Sequence, residues 1–369
     1  MKFPLNLIKL ALIGLLFPLF TFASTTTDFS VASWIPYWSQ DLGIPTLAAN
    51  LSKFDIITPF AYEVDSNAHL VDKLKISKGD WNSVFNSARN SSIKIVPSIL
   101  WTAKNQIHTI FSDVTKRTNH EDEVTAMVVN NNFDGVEIDY EGKLDTDKDI
   151  FSAFIIELSN KLHSKNKILV CTVEARMYDT APADVPIHKK FPWANDWTVM
   201  NKYCDQIRIM TYDEYSAVFQ SNKFTTKIPL YSSVSNASID YVTKVAKYAV
   251  TRIDPKKIIL GIPSYGYDFS YSTKGTTRTV QRYSARSYVK ALAISKYYNS
   301  PIKDTIGGEK YFTYTLKGKN HYVVFADAKT IQTRVTLAKN LGLGGAALFK
   351  IDGLEDPKMW NSLPLVAIK

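Results

Sequence analysis

Phe133-Asp134-Gly135-Val136-Glu137-Ile138-Asp139-Tyr140-Glu141-Gly142 is an apolar run that ends in three acidic residues spaced two apart. In a β-strand, residues i, i+2 and i+4 share one face. Glu137, Asp139 and Glu141 therefore point one way, and Val136, Ile138 and Tyr140 the other. Three like charges stacked inside a protein are costly unless they share protons or hydrogen bonds. Such crowding raises the pKa of at least one carboxyl, which a general acid working near neutrality requires. A solvated acidic edge strand or a cation site would use the same residues, but the hydrophobic opposite face argues against an edge. The stretch reads as a catalytic cluster on a buried strand.

Eight apolar, β-branched-rich runs recur along the chain, at residues 31–36, 56–62, 93–100, 135–140, 168–173, 206–212, 257–263 and 344–351. Several are near-continuous hydrophobic runs, as parallel strands buried on both faces are. Helix-like stretches such as 121–129, 150–163 and 239–249 lie between them. Eight alternations of strand and helix predict an α/β fold, a (β/α)8 TIM barrel. A doubly wound open sheet is the competing arrangement, but it usually has fewer strands, and no Gly-rich phosphate loop follows any of these. Such barrels take about 250 residues, and this chain has 369, so insertions are expected. The clearest spans about 268–322, between the seventh and eighth strands. It is rich in Tyr, Thr, Ser and Lys, has its own strand-like piece at 311–316, and is expected to form a small lobe beside the cleft or a long decorated loop.

Active sites of such barrels sit where the strands end. The acidic stretch resembles the D-x-x-D-x-D-x-E signature of glycoside hydrolase family 18, the chitinases and related N-acetylglucosaminidases. Asp134, Asp139 and Glu141 fall on its first, third and fourth acidic positions, and Glu137 stands where the family has Asp. Other strand ends carry the likeness further. The first ends in Trp34-Ile35-Pro36-Tyr37-Trp38, like the family's aromatic-rich opening. The sixth ends in Met210-Thr211-Tyr212-Asp213, matching M-x-Y-D. Gly261-Ile262-Pro263-Ser264-Tyr265-Gly266 and Gly344-Gly345-Ala346-Ala347-Leu348-Phe349 resemble the last two strands. The resemblance runs from about residue 31 to about 356. Segments 57–65, 261–268 and 321–328 look most like bacterial spore-cortex and cell-wall lytic members, which cut amino-sugar links in peptidoglycan.

The resemblance implies a retaining mechanism in which the substrate's own N-acetyl carbonyl attacks the anomeric carbon. It assigns Glu141 as the acid that protonates the leaving oxygen and then activates water. Asp139 holds the acetamido N–H, Tyr212 donates to its carbonyl oxygen, and Asp213 lines the same pocket with Met210 in register. Asp134 and Glu137 are expected to sit deeper and tune Asp139, with Glu137 sharing its proton and Glu137→Asp tolerated. Phe349 replaces the Trp that usually floors the −1 sugar subsite; a phenyl face still stacks on a sugar with less area. The third strand, Pro97-Ser98-Ile99-Leu100-Trp101, lacks the usual glycines after Ser, which would narrow the cleft. Trp34, Tyr37, Trp101, Tyr265 and Tyr267 are candidate sugar platforms or core residues. Glu174, ending the fifth strand, is a candidate cleft contact or an exposed salt-bridge partner.

Residues 1–23 have Lys2 and Lys9, an apolar run from 10 to 22 and small residues before Ser24, the pattern of a cleaved signal peptide. The run is short for a membrane anchor, which needs about 20 residues. The mature chain, 24–369, is expected to be secreted, extracellular or associated with a cell wall, monomeric and free of the membrane. Loss of the leader takes the formal charge from +9 to +7, enough for attraction to anionic walls yet ordinary for solubility. No Lys/Arg run suggests nucleic-acid binding. The six histidines are scattered, so no metal or other cofactor is expected. Cys171 and Cys204 read as two buried thiols, or as one disulfide if their strands are neighbours. Asn50, Asn90 and Asn236 begin Asn-x-Ser sequences. The expected partner is an amino-sugar polysaccharide or oligosaccharide. A sugar-binding lectin on the same barrel is the alternative, although such family members have generally lost the acid at the Glu141 position. A scaffold with a blocked cleft is a third.

Overall fold

The computed structural model describes residues 29–76, 79–178, 194–214, 226–229 and 234–364. The expected leader at 1–23 lies outside them. Eight strands, Ser30–Pro36, Ile56–Val64, Ser98–Trp101, Gly135–Tyr140, Ile168–Glu174, Gln206–Met210, Ile258–Pro263 and Gly345–Phe349, pair in parallel around a ring that closes between the first and second. They coincide with the eight apolar runs and make a (β/α)8 barrel.

Two apolar layers hold it. Outward-facing residues such as Val136, Ile138 and Tyr140 pack against helices including Val114–Asn130 and Lys148–His163. The barrel interior is smaller and filled by Ala32, Trp34, Ile56, Phe60, Val96, Val170, Ile259 and Ala347. Side-chain caps mark the helix starts, as where Asp113 accepts from Lys116 N–H and Asp196 from Thr198 N–H. Cys171, on the outer face of the fifth strand, is disulfide-bonded to Cys204 just before the sixth. Closing a loop of 33 residues stabilises by about 3–4 kcal/mol in the chain-entropy picture.

The segment after the seventh barrel strand holds more than the one strand-like piece at 311–316. Residues Tyr265–Lys274, Thr277–Ser287, Lys310–Leu316 and Lys319–Phe325, with Lys303–Asp304 and Thr226–Pro229, form a six-stranded antiparallel sheet. Helix Tyr288–Tyr297 covers one face through Phe312, Val323 and Phe325. The other carries Tyr265, Tyr267, Phe269, Val280, Tyr322 and Val324 and meets Phe349 of the barrel. No described helix is long and apolar enough to cross a membrane.

Candidate active site

The fourth strand alternates as its sequence requires: its odd-numbered acids face the barrel interior. Glu141 lies one residue past the strand, and its N–H still bonds Trp101 O at 2.9 Å, which continues the strand pairing. Asp139 is 4% exposed, and its Oδ1 has no hydrogen-bond partner among the described residues. Burial, then the charges of Glu141, Glu137 and Glu174, push its carboxyl well above the usual range, against a smaller pull from Lys143. Glu141 is raised to about 7, by burial first and by Glu174 next, with Asp213 adding and Lys143 opposing. The cluster thus holds protons at neutral pH, as a general acid must.

Around this pair the strand ends supply a wall. Tyr212 stacks on Phe349, with ring centroids 5.4 Å apart and planes 14° from parallel. Gly261 makes room for it: a Cβ there would lie 2.5 Å from Ile209 O and 3.1 Å from the Tyr212 ring. Asp213 adopts φ +53°. It is held there by Asn236, whose Oδ1 accepts its N–H at 3.0 Å, and by hydroxyls of Tyr265 and Tyr267, both donating to its Oδ1. Glu174 accepts from Gly142 N–H at 3.0 Å and from Asn195 Nδ2 at 2.5 Å. Met210 pairs in register with Glu174, and Leu100 with Asp139. Tyr37 donates to Glu63 at 2.7 Å at the mouth, where its neighbour Trp38 is 51% exposed. Trp38 belongs among the candidate sugar contacts; its signal was an aromatic two residues past the first strand end.

Four expectations are corrected. Asp134 is far from Asp139, five residues down the strand and so roughly 17 Å away. Its N–H and Oδ2 clamp the backbone of Ile95, donating to the carbonyl and accepting from the N–H. Asp55 holds Val31 and Asp205 holds Leu169 in the same way, so this first signature carboxylate is one of three clamps at the barrel's lower rim. Trp101 faces outward, 2% exposed among Phe111, His120 and Tyr140, with Nε1 on Gln106. Trp34 lies inside the barrel, 1% exposed.

The fourth correction concerns Glu137. It shares no hydrogen bond with Asp139. One carboxylate oxygen accepts from Trp34 Nε1 at 2.6 Å; the other accepts from Thr172 Oγ1 at 2.6 Å and Arg208 Nη1 at 3.0 Å. Both Glu137 and Arg208 are 0% exposed. Arg208 also donates to Thr58 Oγ1 at 2.8 Å and lies 5.3 Å from the Trp34 ring. The longer arm at 137 thus closes an ion pair across the barrel beneath Asp139. A signal for Arg208 was present: it sits two residues before Met210, on the interior parity of the sixth strand. Among the described residues no group of three His, Cys, Asp or Glu could hold a metal ion.

A barrel whose strand ends gather crowded, proton-holding carboxyls against an aromatic floor defines a candidate glycosidase site. The comparisons agree. Residues 31–353 match the glycosyl hydrolases family 18, and the chain belongs to that family. An uncharacterized glycosylase, YvbX of Bacillus subtilis (strain 168), is 27% identical over 255 residues, 69% of this chain and 67% of that one. The cortical fragment-lytic enzyme of Bacillus cereus is 26% identical over 230 residues, 62% of this chain and 48% of that enzyme; the match spans about half its length. Among solved structures, the Bacillus megaterium QM B1551 spore cortex-lytic enzyme SleL superposes with TM-score 0.73 at 18% identity, over 92% of this chain and 75% of that one. A family 18 chitinase from Cycas revoluta, in complex with (GlcNAc)3, gives 0.72 at 15% identity, over 90% and 98%.

Proposed function

We propose that this chain is an exported glycosidase that hydrolyses β-linked N-acetylglucosamine-containing polysaccharide, chitin or peptidoglycan, with retention and with the substrate's acetamido group as nucleophile. One observation carries the reading: Asp139 and Glu141 stand side by side at the C-terminal end of the barrel, with Glu141 raised to about 7, while the other two carboxylates there are tied up. Glu174 accepts two hydrogen bonds, and so does Asp213. A protein nucleophile would need a second carboxylate facing the anomeric carbon across the cut bond.

In this reading the Glu141 proton passes to the glycosidic oxygen as the C1–O bond breaks. The acetamido oxygen forms the new bond to C1. Asp139, whose Oδ1 is unpartnered, orients the acetamido N–H, and the Tyr212 hydroxyl donates to the carbonyl oxygen. Glu141 then takes a proton from the water that opens the ring intermediate. Phe349 and Tyr212 floor the sugar. Export rests on the leader pattern at 1–23. The test is mass analysis of products from N-acetylated chitin oligomers, their deacetylated counterparts and purified peptidoglycan, with Glu141→Gln in parallel. Shortened acetylated products that vanish in the variant are expected; equal turnover of deacetylated oligomers would refute acetamido participation.

A further inference from the structure

Asn236 is fully buried just before helix Ile239–Ala249, and all four of its polar groups are engaged. Its Oδ1 accepts Asp213 N–H at 3.0 Å, and its Nδ2 donates to Tyr265 O at 3.1 Å. Its backbone O accepts Glu214 N–H at 2.8 Å, and its own N–H donates to Glu309 Oε1 at 3.2 Å. We infer that Asn236 is a positioning residue of the reaction, which fixes the Tyr212–Asp213 peptide against the strand Tyr265–Lys274 and so aims the Tyr212 hydroxyl at the substrate's acetamido group. This rests on the glycosidase reading above and adds a residue to its acetamido site.

The bonds close a circuit through three parts of the chain. Asp213 N–H goes to Asn236, Asn236 Nδ2 goes to Tyr265 O, and the Tyr265 hydroxyl returns to Asp213 Oδ1 at 2.5 Å. A backbone N–H can only donate and a carbonyl only accept, so a side chain joining these two must offer one acceptor and one donor, as a primary amide does. The circuit matters because Asp213 sits at φ +53°, a region that residues other than Gly enter at a cost unless their surroundings hold them. Tyr212 immediately precedes it. Its ring is fixed by the stack on Phe349 and by the backbone on either side. Before it, Thr211 Oγ1 donates to Gly261 O at 2.6 Å; after it, the bond from Asp213 N–H to Asn236 holds the peptide plane. Glu309 Oε1 also accepts Ala237 N–H at 3.2 Å, so the segment that carries Asn236 is itself anchored. Releasing Asn236 would free the 212–213 peptide to rotate and swing the Tyr212 hydroxyl off its target.

The test is a double-mutant cycle of Asn236→Ala with Tyr212→Phe, read as kcat/KM on a soluble N-acetylated oligosaccharide. Misplacing a reacting contact costs up to about 100-fold, and Asn236→Ala should lose about tenfold or more. In the Tyr212→Phe background the same substitution should cost less than about twofold, because the hydroxyl it aims is gone. Equal losses in the two backgrounds overturn the proposal and leave Asn236 a purely structural residue. Asn236→Asp serves as a second variant near pH 5, where Glu309, its pKa pushed to about 7, is protonated. It keeps the acceptor for Asp213 N–H and should fall between wild type and Asn236→Ala; an Asp variant no better than Ala counts against the circuit. A second readout needs no turnover. Calorimetry in the Glu141→Gln background compares N-acetylated with deacetylated oligomers, and Asn236→Ala should lower their affinity ratio when Tyr212 is present but not in Tyr212→Phe. An unchanged ratio, or an equal drop in both backgrounds, overturns the proposal. Wild-type protein that binds the acetylated oligomer and cuts neither ligand fails the glycosidase reading alone, and the binding cycle still decides the role of Asn236.

Discussion

Arg208→Met would remove the cation that faces Glu137 inside the barrel. Both side chains are fully buried, and their contact is 3.0 Å, so Glu137 would be left charged in a space shared with Asp139 and closed by Trp34, Thr58 and Thr172. Removing one member of a buried ion pair costs roughly 3–5 kcal/mol. At about 2.1 cal/mol/K per residue of unfolding entropy and 369 residues, each kcal/mol moves Tm by about 1.3 °C, so a fall of about 4–7 °C is expected near neutrality. The loss has a pH signature. An unpaired buried carboxyl has its pKa raised in the folded state, so its penalty is absent below the unfolded value, about 4.3, and grows as pH rises. Arg208→Met should therefore match wild type near pH 4 and fall furthest behind at pH 8. Glu137→Gln paired with Arg208→Met removes both charges and should recover most of the loss. Glu137→Asp, innocent by sequence, shortens the arm that reaches Arg208 and Trp34 and should be destabilising. The assay is thermal unfolding followed by circular dichroism from pH 4 to 8. Equal Tm for wild type and Arg208→Met at pH 8, or a double variant no better than the single, would refute the argument.

Other consequences are as direct. Because only protonated Glu141 can donate, kcat/KM on a soluble N-acetylated oligosaccharide should fall above about pH 7. Glu174→Gln removes the largest charge that raises it, and so should move that alkaline limb to lower pH; an unmoved limb would dissociate Glu174 from the acid. Glu309, buried under the lobe with its pKa pushed to about 7, accepts from Asn236 and Ala237 N–H. Its folded pKa exceeds the unfolded one, so the stability it contributes at low pH is lost as pH rises through about 7. Glu309→Gln should flatten the Tm–pH curve between pH 5 and 8, and parallel curves for the two proteins would count against this.

The amino-acid sequence by itself determined the barrel, because eight apolar runs of strand length with helices between them have few other ways to bury both faces. It also determined which side of the fourth strand carries the acids, since the period of a strand is two and a buried strand cannot slip it. What it left open depends on partners far apart in the chain. Glu137 and Arg208 are 71 residues apart, and no local pattern says that one neutralises the other. Asp134 looks like its neighbours in the signature, yet it lies at the other end of the strand and binds backbone, a distinction that strand length decides. Trp34 and Trp101 each read as a sugar platform or as core, and only the closed ring settles which faces inward and which packs beneath the helices. Cys171 and Cys204 pair because their strands are neighbours in the closed barrel. Hydrophobic period is written residue by residue, whereas charge pairing, disulfide closure and the composition of a cleft are set by which strand ends the ring brings side by side.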